Sequence, residues 1–268
     1  MRFIFKTNYT QDINIVRHNG DRISYGLLII SMLLIPLFID DFYLGEFSYV
    51  MILAIAGIGL MILSGYTGLA SLGHAAFLGV GAYTHAFLLT HGIPFYFSIV
   101  IAIVVSFTVG AVIGFPILRL TGMYLAIATL ALGFIAEHVF IRWNFFTGGN
   151  RGMEVPTPEL GNFSFYDSST FYYVCLASLI ISMLVAINIL RSPTGRAFVA
   201  IRDSEIASQS LGINLAYYKS LSFAISAGFT GLAGALLAHY IGYLDKQKSD
   251  ILAFRKDENL IIPENIDY

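Results

Sequence analysis

The stretch FYFSIVIAIVVSFTVGAVIGFPIL, residues 95–118, contains no charged side chain. At a rise of about 1.5 Å per residue, a helix of this length crosses the roughly 30 Å hydrocarbon core of a lipid bilayer. The rest of the chain is similar, since 57% of its 268 residues are hydrophobic and only 12% are charged. Soluble domains are about a quarter charged. The composition therefore predicts a protein that is embedded in lipid.

Further apolar runs on both sides of this stretch bring the number of candidate membrane segments to seven. They are residues 25–39, 47–63, 73–90, 95–118, 123–141, 171–190 and 220–244. The first is short and the third is interrupted by glycine, so these two are the weakest candidates. We expect an all-α fold, a polytopic membrane helix bundle, with a polar leader at 1–24 and a polar tail at 245–268.

Lysine and arginine are distributed unequally between the connections of these segments. With the N-terminus inside, the outer connections before the tail hold only Arg142 and Arg151. The inner ones hold Arg2, Lys6, Arg17, Arg22, Arg119, Arg191, Arg196, Arg202 and Lys219. Basic residues accumulate in cytoplasmic loops. We therefore expect a multi-pass plasma-membrane protein whose leader and loop 191–219 both face the cytoplasm. The net charge of −2 gives no indication of nucleic-acid binding.

The stretch GYTGLASLGHAAFLGVGAY, residues 65–83, combines many glycines with no Asp, Glu, Lys or Arg. Small residues let membrane helices approach closely, and irregular backbone at membrane depth must be buried in protein or line a wet cavity. Two interpretations stay open: a close-packed helix crossing, or a broken helix beside a translocation path. His74 is a hydrogen-bonded structural group or a functional one. The candidate path and packing residues are Gly65, Gly68, Ser71, Gly73, His74, Gly79, Gly81 and Tyr83.

An outer loop at 142–170 contains TGGNRG, residues 147–152. Adjacent glycines near an arginine form either an anion-binding backbone nest or a plain turn. The candidate residues are Thr147, Gly148, Gly149 and Gly152. Glu137 and His138 lie just before this loop and serve either as interface side chains or as a proton relay.

The segment SPTGRAFVAIRDSEIASQSLG, residues 192–212, is charged although it lies between two apolar runs. Ser192 suits an N-cap, Pro193 suits the first helical position, and Gly212 suits a helix stop. We expect one capped helix here. It is either a docking element for another protein or an amphipathic helix lying on lipid.

Four motifs occur in order along the chain: GYTGLASLGHAAFLGVGAY, RLTGMYLAIATLALG at 119–133, TGGNRG, and TGRAFVAIRDSEIASQSLGIN at 194–214, followed by Lys219. Together they resemble the LivM-type permease subunits of branched-chain amino acid ABC importers. The resemblance implies that the segment 192–212 is a coupling helix that contacts an ATPase subunit. The coupling residues implied are Gly195, Arg196, Ile201, Arg202, Asp203, Ala207 and Gly212.

The resemblance also implies the partners of the chain. These are a homologous second permease subunit, two ATP-binding subunits, an external amino-acid-binding protein and the lipid bilayer. ATP would be used by a partner, because the chain lacks a G-x-x-x-x-G-K-[ST] phosphate loop. We expect no cofactor and no metal in this chain. No catalytic constellation points to an enzyme.

Other functions stay open at this point. A urea or short-amide ABC importer shares much of the pattern, an ion-coupled secondary transporter would use Glu137, His138 or His74, and a structural membrane protein needs no substrate. Related permeases usually continue with further apolar segments where this chain has its polar tail. We therefore expect a truncated permease, in which the small face of the last apolar segment, Ala227, Gly231 and Ala235, lacks its partner helices.

Overall fold

A computed structural model describes residues 19–117, 122–149, 153, 155–156, 159–160, 163–164 and 168–257. Most of the expected leader, Gly152 and the last eleven residues, 258–268, lie outside the described residues. The helices are α1 (Asn19–Leu34), a 3₁₀ turn (Ile35–Leu37), α2 (Asp41–Leu60), a π-helical turn (Met61–Tyr66), α3 (Ala75–Thr90), α4 (Phe95–Ile117), α5 (Met123–Arg142), α6 (Asn144–Thr147), α7 (Ser168–Arg191), α8 (Pro193–Asp203), α9 (Glu205–Ser210) and α10 (Leu215–Asp257). The two-residue strands β1 (Glu159–Leu160) and β2 (Phe163–Ser164) pair antiparallel between α6 and α7.

The expected all-α membrane bundle is confirmed, and each apolar segment overlaps a helix. Within the described residues, five helices are long and apolar enough to cross a membrane. They are Asp41–Tyr66, Phe95–Phe115, Met123–Arg142, Ser168–Arg191 and Leu215–Gly242. The two weakest candidates form the shorter apolar helices Gly26–Leu37 and Ala75–Thr90. The chain is therefore a multi-pass membrane protein.

The helix α10 lies at the centre of the bundle and packs against α2, α3 and α4. The most apolar 18-residue stretch of α10 is 72% buried, whereas the corresponding stretch of α5 is only 11% buried. Small residues allow the close approach: a Cβ on Gly231 would collide with the Ser106 side chain of α4, and one on Gly81 of α3 would collide with the Gly231 backbone. At such contacts the helix backbones pack closely against each other, without bulky side chains between them.

This packing corrects our expectation about the last apolar segment. Ala227 and Ala235 are fully buried, and Gly231 is covered by α3 and α4. The small face therefore has its partner helices within this chain. The helix α10 continues into the expected polar tail as far as Asp257.

Three groups of buried side chains hold the elements together. One joins α2, α7 and α10 around Ile52, Tyr172 and Leu236. A second joins Leu63, Phe77 and Phe223 at the interruption between α2 and α3. The third brings Phe198 of α8 against Ile62, Ala186 and Phe229. The loop helix α8 is thus anchored in the membrane bundle by its own apolar side chain.

Candidate functional site

The glycine-rich stretch is a broken helix. The helix α2 runs into the π-helical turn, which ends at Tyr66, and eight non-helical residues follow before α3 starts at Ala75. Thr67 donates from both its backbone N and its Oγ1 to the Ile62 carbonyl, which closes the wide turn. Gly68 then reverses the chain with a φ of +75°, a conformation that favours glycine. We call residues 67–74 the break segment.

The break segment is also tightly packed, so both interpretations of the glycines hold in part. Leu72 N donates to Thr129 Oγ1 on α5 at 3.0 Å. A Cβ on Gly73 would collide with the Thr129 carbonyl, and one on Gly79 would collide with the Phe140 ring. The Tyr83 ring packs against the same ring at a tilt of 42°, with centroids 5.0 Å apart. These contacts attach α5 to the bundle.

His74 joins the break segment to the central helix by hydrogen bonds. Its Nε2 lies 2.6 Å from Ser226 Oγ, and Ser226 Oγ donates to the Gly59 carbonyl at 2.6 Å. Because the serine proton is used there, we assign the donating N–H to His74 Nε2, which leaves Nδ1 to accept from Ser71 Oγ at 3.1 Å. Both ring nitrogens of His74 therefore have hydrogen-bond partners, as expected of a structural histidine.

The charged segment 192–212 forms two helices rather than the single one that we expected. Ser192 Oγ donates back to the Ile189 carbonyl instead of capping α8, although Pro193 is the first helical residue as predicted. Ser204, with φ −162° and ψ 116°, separates α8 from α9 and accepts a hydrogen bond from Ala207 N. Gly212 lies just after α9 with φ +84°, which confirms it as the stop.

Arg202, near the end of α8, contacts the interrupted membrane helix directly. Its Nη1 donates to the Gly65 carbonyl at 2.9 Å. Carbonyls at the end of a helix have no partner within the helix, and a cation there opposes the negative end of the helix dipole. Gly68 allows this approach, because a Cβ at that position would lie 3.0 Å from Arg202 Cγ. Arg202 therefore caps the helix at the point where it breaks.

Glu205, the first residue of α9, contacts the central helix. Its Oε1 lies 2.6 Å from Nζ of Lys219, whose side chain is only 5% exposed. Arg202 and Glu205 thus attach the two loop helices to two different membrane elements, respectively the π-helical turn at the end of α2 and the helix α10.

The remaining coupling residues fall into buried and exposed groups. Gly195 and Ile201 face the bundle, and a Cβ on Gly195 would collide with the Leu190 backbone. The exposed members are Arg196, Asp203, Ala207 and Gly212. Two apolar side chains of this segment, Ile206 and Leu211, are 82% and 80% exposed. The segment therefore presents charged and apolar groups outward while its other face packs on the membrane helices.

The model of the family described as "Branched-chain amino acid transport system / permease component" matches residues 43–254. The chain belongs to this permease family. The high-affinity branched-chain amino acid transport system permease protein LivM of Salmonella typhimurium (strain LT2) is 34% identical over 259 residues. LivM of Escherichia coli (strain K12) is 33% identical over the same length.

Each of these alignments covers 85% of this chain and 61% of the LivM protein, so the chain spans about three fifths of the length of these curated relatives. No solved structure matches the chain. The assignment of the chain to the permease family therefore rests on the sequence match and on the membrane bundle.

In this permease-family chain the motif at 147–149 is a self-contained turn. Thr147 Oγ1 contacts the carbonyls of Phe140 and Trp143 and accepts from Gly149 N at 3.2 Å. Gly148 and Gly149 have φ values of +72° and +61°. The Gly149 amide is therefore used within the turn, whereas the second half of the motif, residues 150–152, lies outside the described residues.

The sequence analysis missed a polar contact inside the bundle. His85 Nε2 of α3 lies 2.7 Å from His239 Nε2 of α10, and Ser98 Oγ of α4 lies 2.8 Å from His85 Nδ1. Phe95 packs against both imidazole rings. Isolated histidines in apolar runs were the only signal, and the sequence does not show that they meet. By contrast, Glu137 and His138 are exposed on α5.

Proposed function

We propose that this chain is a membrane-spanning permease subunit of an ATP-driven importer of branched-chain amino acids. The family match and the LivM relatives support the substrate class. The observation that carries the mechanism is the hydrogen bond from Arg202 Nη1 to the Gly65 carbonyl. This hydrogen bond connects a charged, exposed loop helix directly to the interruption of a membrane helix. A partner subunit that displaces the loop helix could therefore change the backbone conformation at the interruption.

The partners in this proposal are a homologous second permease subunit, two ATP-binding subunits and an external amino-acid-binding protein. The loop helices α8 and α9 would dock on an ATP-binding subunit. Exposed apolar side chains among polar ones are suited to such an interface, and Ile206 and Leu211 are exposed within the polar segment EIASQSLG at 205–212. The break segment would border the translocation path, since irregular backbone at membrane depth lies next to protein or a wet cavity.

The proposal places the protein in a bacterial or archaeal plasma membrane with its N-terminus in the cytoplasm. The distribution of basic residues supports this orientation. A Ser210→Cys variant tests it, because Ser210 is exposed on α9. An impermeant thiol reagent should label this cysteine in inverted vesicles and leave it unlabelled in intact cells. Labelling in intact cells would contradict the orientation.

The function itself is tested by uptake in proteoliposomes that contain the chain, a second permease subunit and ATP-binding subunits, with the binding protein outside. We expect uptake of leucine, isoleucine or valine that requires internal ATP. Uptake of urea or short amides instead would change the substrate class, and uptake driven by an ion gradient without ATP would refute the ABC importer. Ile206→Asp and Leu211→Asp should weaken capture of the ATP-binding subunit, while Gln209→Asp, also exposed on α9, serves as the matched control.

A further inference from the structure

The break at Ser204 divides the coupling segment into two helices with separate attachments. Before Ser204 in the chain, α8 caps the interrupted helix α2 through Arg202. After Ser204, α9 contacts α10 through Glu205. A single rigid helix would transmit its displacement to one membrane element. Two helices that are joined by one extended residue can move different membrane elements.

Lys219 is an unusual residue at its position in the fold. It lies in the second turn of α10, near the positive end of the helix dipole, where a cation is unfavourable. Its side chain is almost fully buried, and a buried charge is costly unless it is paired. Glu205 supplies that partner at 2.6 Å and lies in the first turn of α9, where a carboxylate is favourable. Helix preference does not explain this lysine, whereas the contact with Glu205 does.

The other charged side chains of the two loop helices point elsewhere. Arg202 pairs with Asp203, and both are largely exposed, whereas Arg196 contacts the Arg191 carbonyl at the end of α7. Among the ion pairs that involve described residues, the Glu205–Lys219 pair is therefore the one that joins α9 to the central helix.

We propose that Glu205 and Lys219 form a positioning pair that transmits displacement of α9 to α10. Because α10 packs against α2, α3 and α4, movement of its first turns reaches the centre of the bundle. This inference rests on the proposed function, since it assumes that an ATP-binding subunit displaces α9. The pair does not touch substrate or nucleotide. Its role is to couple ATP hydrolysis to movement of the membrane helices.

The first experiment compares three variants in the complete reconstituted transporter. Glu205→Gln combined with Lys219→Met removes both charges, so that no lone buried charge remains. Glu205→Lys combined with Lys219→Glu exchanges them. Asp41→Asn changes the net charge by the same amount as Glu205→Gln, at an exposed position in the first turn of α2. Uptake and ATP hydrolysis are measured together, and so is the amount of assembled complex.

We expect the neutral pair to assemble normally and to lose about fivefold or more of its uptake per ATP hydrolysed, which corresponds to a typical coupling between sites. The exchanged pair should recover most of this ratio, and Asp41→Asn should resemble the parent protein. An unchanged ratio in the neutral pair, or a ratio as low in the exchanged pair as in the neutral one, would overturn the proposal. A purely structural role would lower uptake and hydrolysis in proportion.

A second measurement does not depend on transport. Hydrogen–deuterium exchange of the α9 amides in the parent chain and in the neutral pair reports how firmly α9 is held. We expect faster exchange in the neutral pair, and equal rates would overturn the tie between α9 and α10. If the parent transporter shows no ATP-dependent uptake, the proposed function fails. The exchange rates then still decide whether the pair holds α9.

Discussion

His74 Nε2 lies 2.6 Å from Ser226 Oγ, although the two residues are 152 positions apart in the chain. Ser226 Oγ also donates to the Gly59 carbonyl, so one hydroxyl group connects α2, the break segment and α10. Ser226 is fully buried, and His74 is half-buried beside Phe77 and Phe223. It holds the break segment at the side of the central helix.

Removing the hydroxyl should therefore destabilise the bundle. We expect Ser226→Ala to lower stability by about 1–2 kcal/mol, because the His74 N–H loses its acceptor in a buried site. The measurement is thermal unfolding in detergent. Thr108→Ala is the matched control, since Thr108 is exposed and its Oγ1 contacts only the Val105 carbonyl of its own helix. Equal melting temperatures for the two variants would contradict the role of this junction.

The glycines of the break segment and α3 should differ in their tolerance of alanine. Gly73→Ala and Gly81→Ala place a methyl group against backbone atoms of Thr129 and Gly231, so both should reduce assembly and uptake strongly. In Gly79→Ala the nearest atoms to the new methyl group belong to the Phe140 ring, a side chain that can move aside, so this variant should be milder. Gly57→Ala is the control, because a Cβ there would meet no atom within 4 Å in the described part of the chain.

The order of these effects is the test. Membrane-inserted protein and substrate uptake are measured for all four variants. If Gly73→Ala and Gly81→Ala behave like Gly57→Ala, then close approach of the helices is unnecessary and the packing interpretation is wrong.

The cap at the break depends on a long cationic side chain at position 202. Arg202→Ala should lose the hydrogen bond to the Gly65 carbonyl and lower uptake per ATP hydrolysed, whereas Arg202→Lys should keep part of it by placing an ammonium group near the same carbonyl. Gly68→Ala should resemble Arg202→Ala, because its positive φ and the nearby Arg202 Cγ both oppose a side chain. Equal uptake ratios for Arg202→Ala and Arg202→Lys would exclude the capping role.

The histidine pair should matter for the stability of the bundle. His239→Ala leaves His85 Nε2 without its partner on α10 and removes the ring that packs on Phe95, so we expect a loss of about 2 kcal/mol or more. His239→Gln should lose less, since an amide can both donate and accept. His138→Ala on the exposed face of α5 is the comparison, and a similar melting temperature for His138→Ala and His239→Ala would refute the expectation.

The sequence alone determined the class of fold and the outline of the helices. Apolar runs such as 95–118 must form helices in lipid, because backbone groups there need internal hydrogen bonds. Gly212 was predictable as a helix stop, since positive φ favours glycine. The glycine density of 65–83 also predicted irregular or close-packed backbone, and both are found.

Only the tertiary structure decided which polar groups meet. Arg202 and Gly65 are 137 positions apart, and His85 and His239 are 154 apart, so no local pattern contains these pairs. The division at Ser204 and the burial of Lys219 depend on the attachment of α8 and α9 to different membrane helices. Helix formation follows from local hydrogen bonding, whereas the pairing of buried polar groups follows from how helices that are distant in sequence pack together.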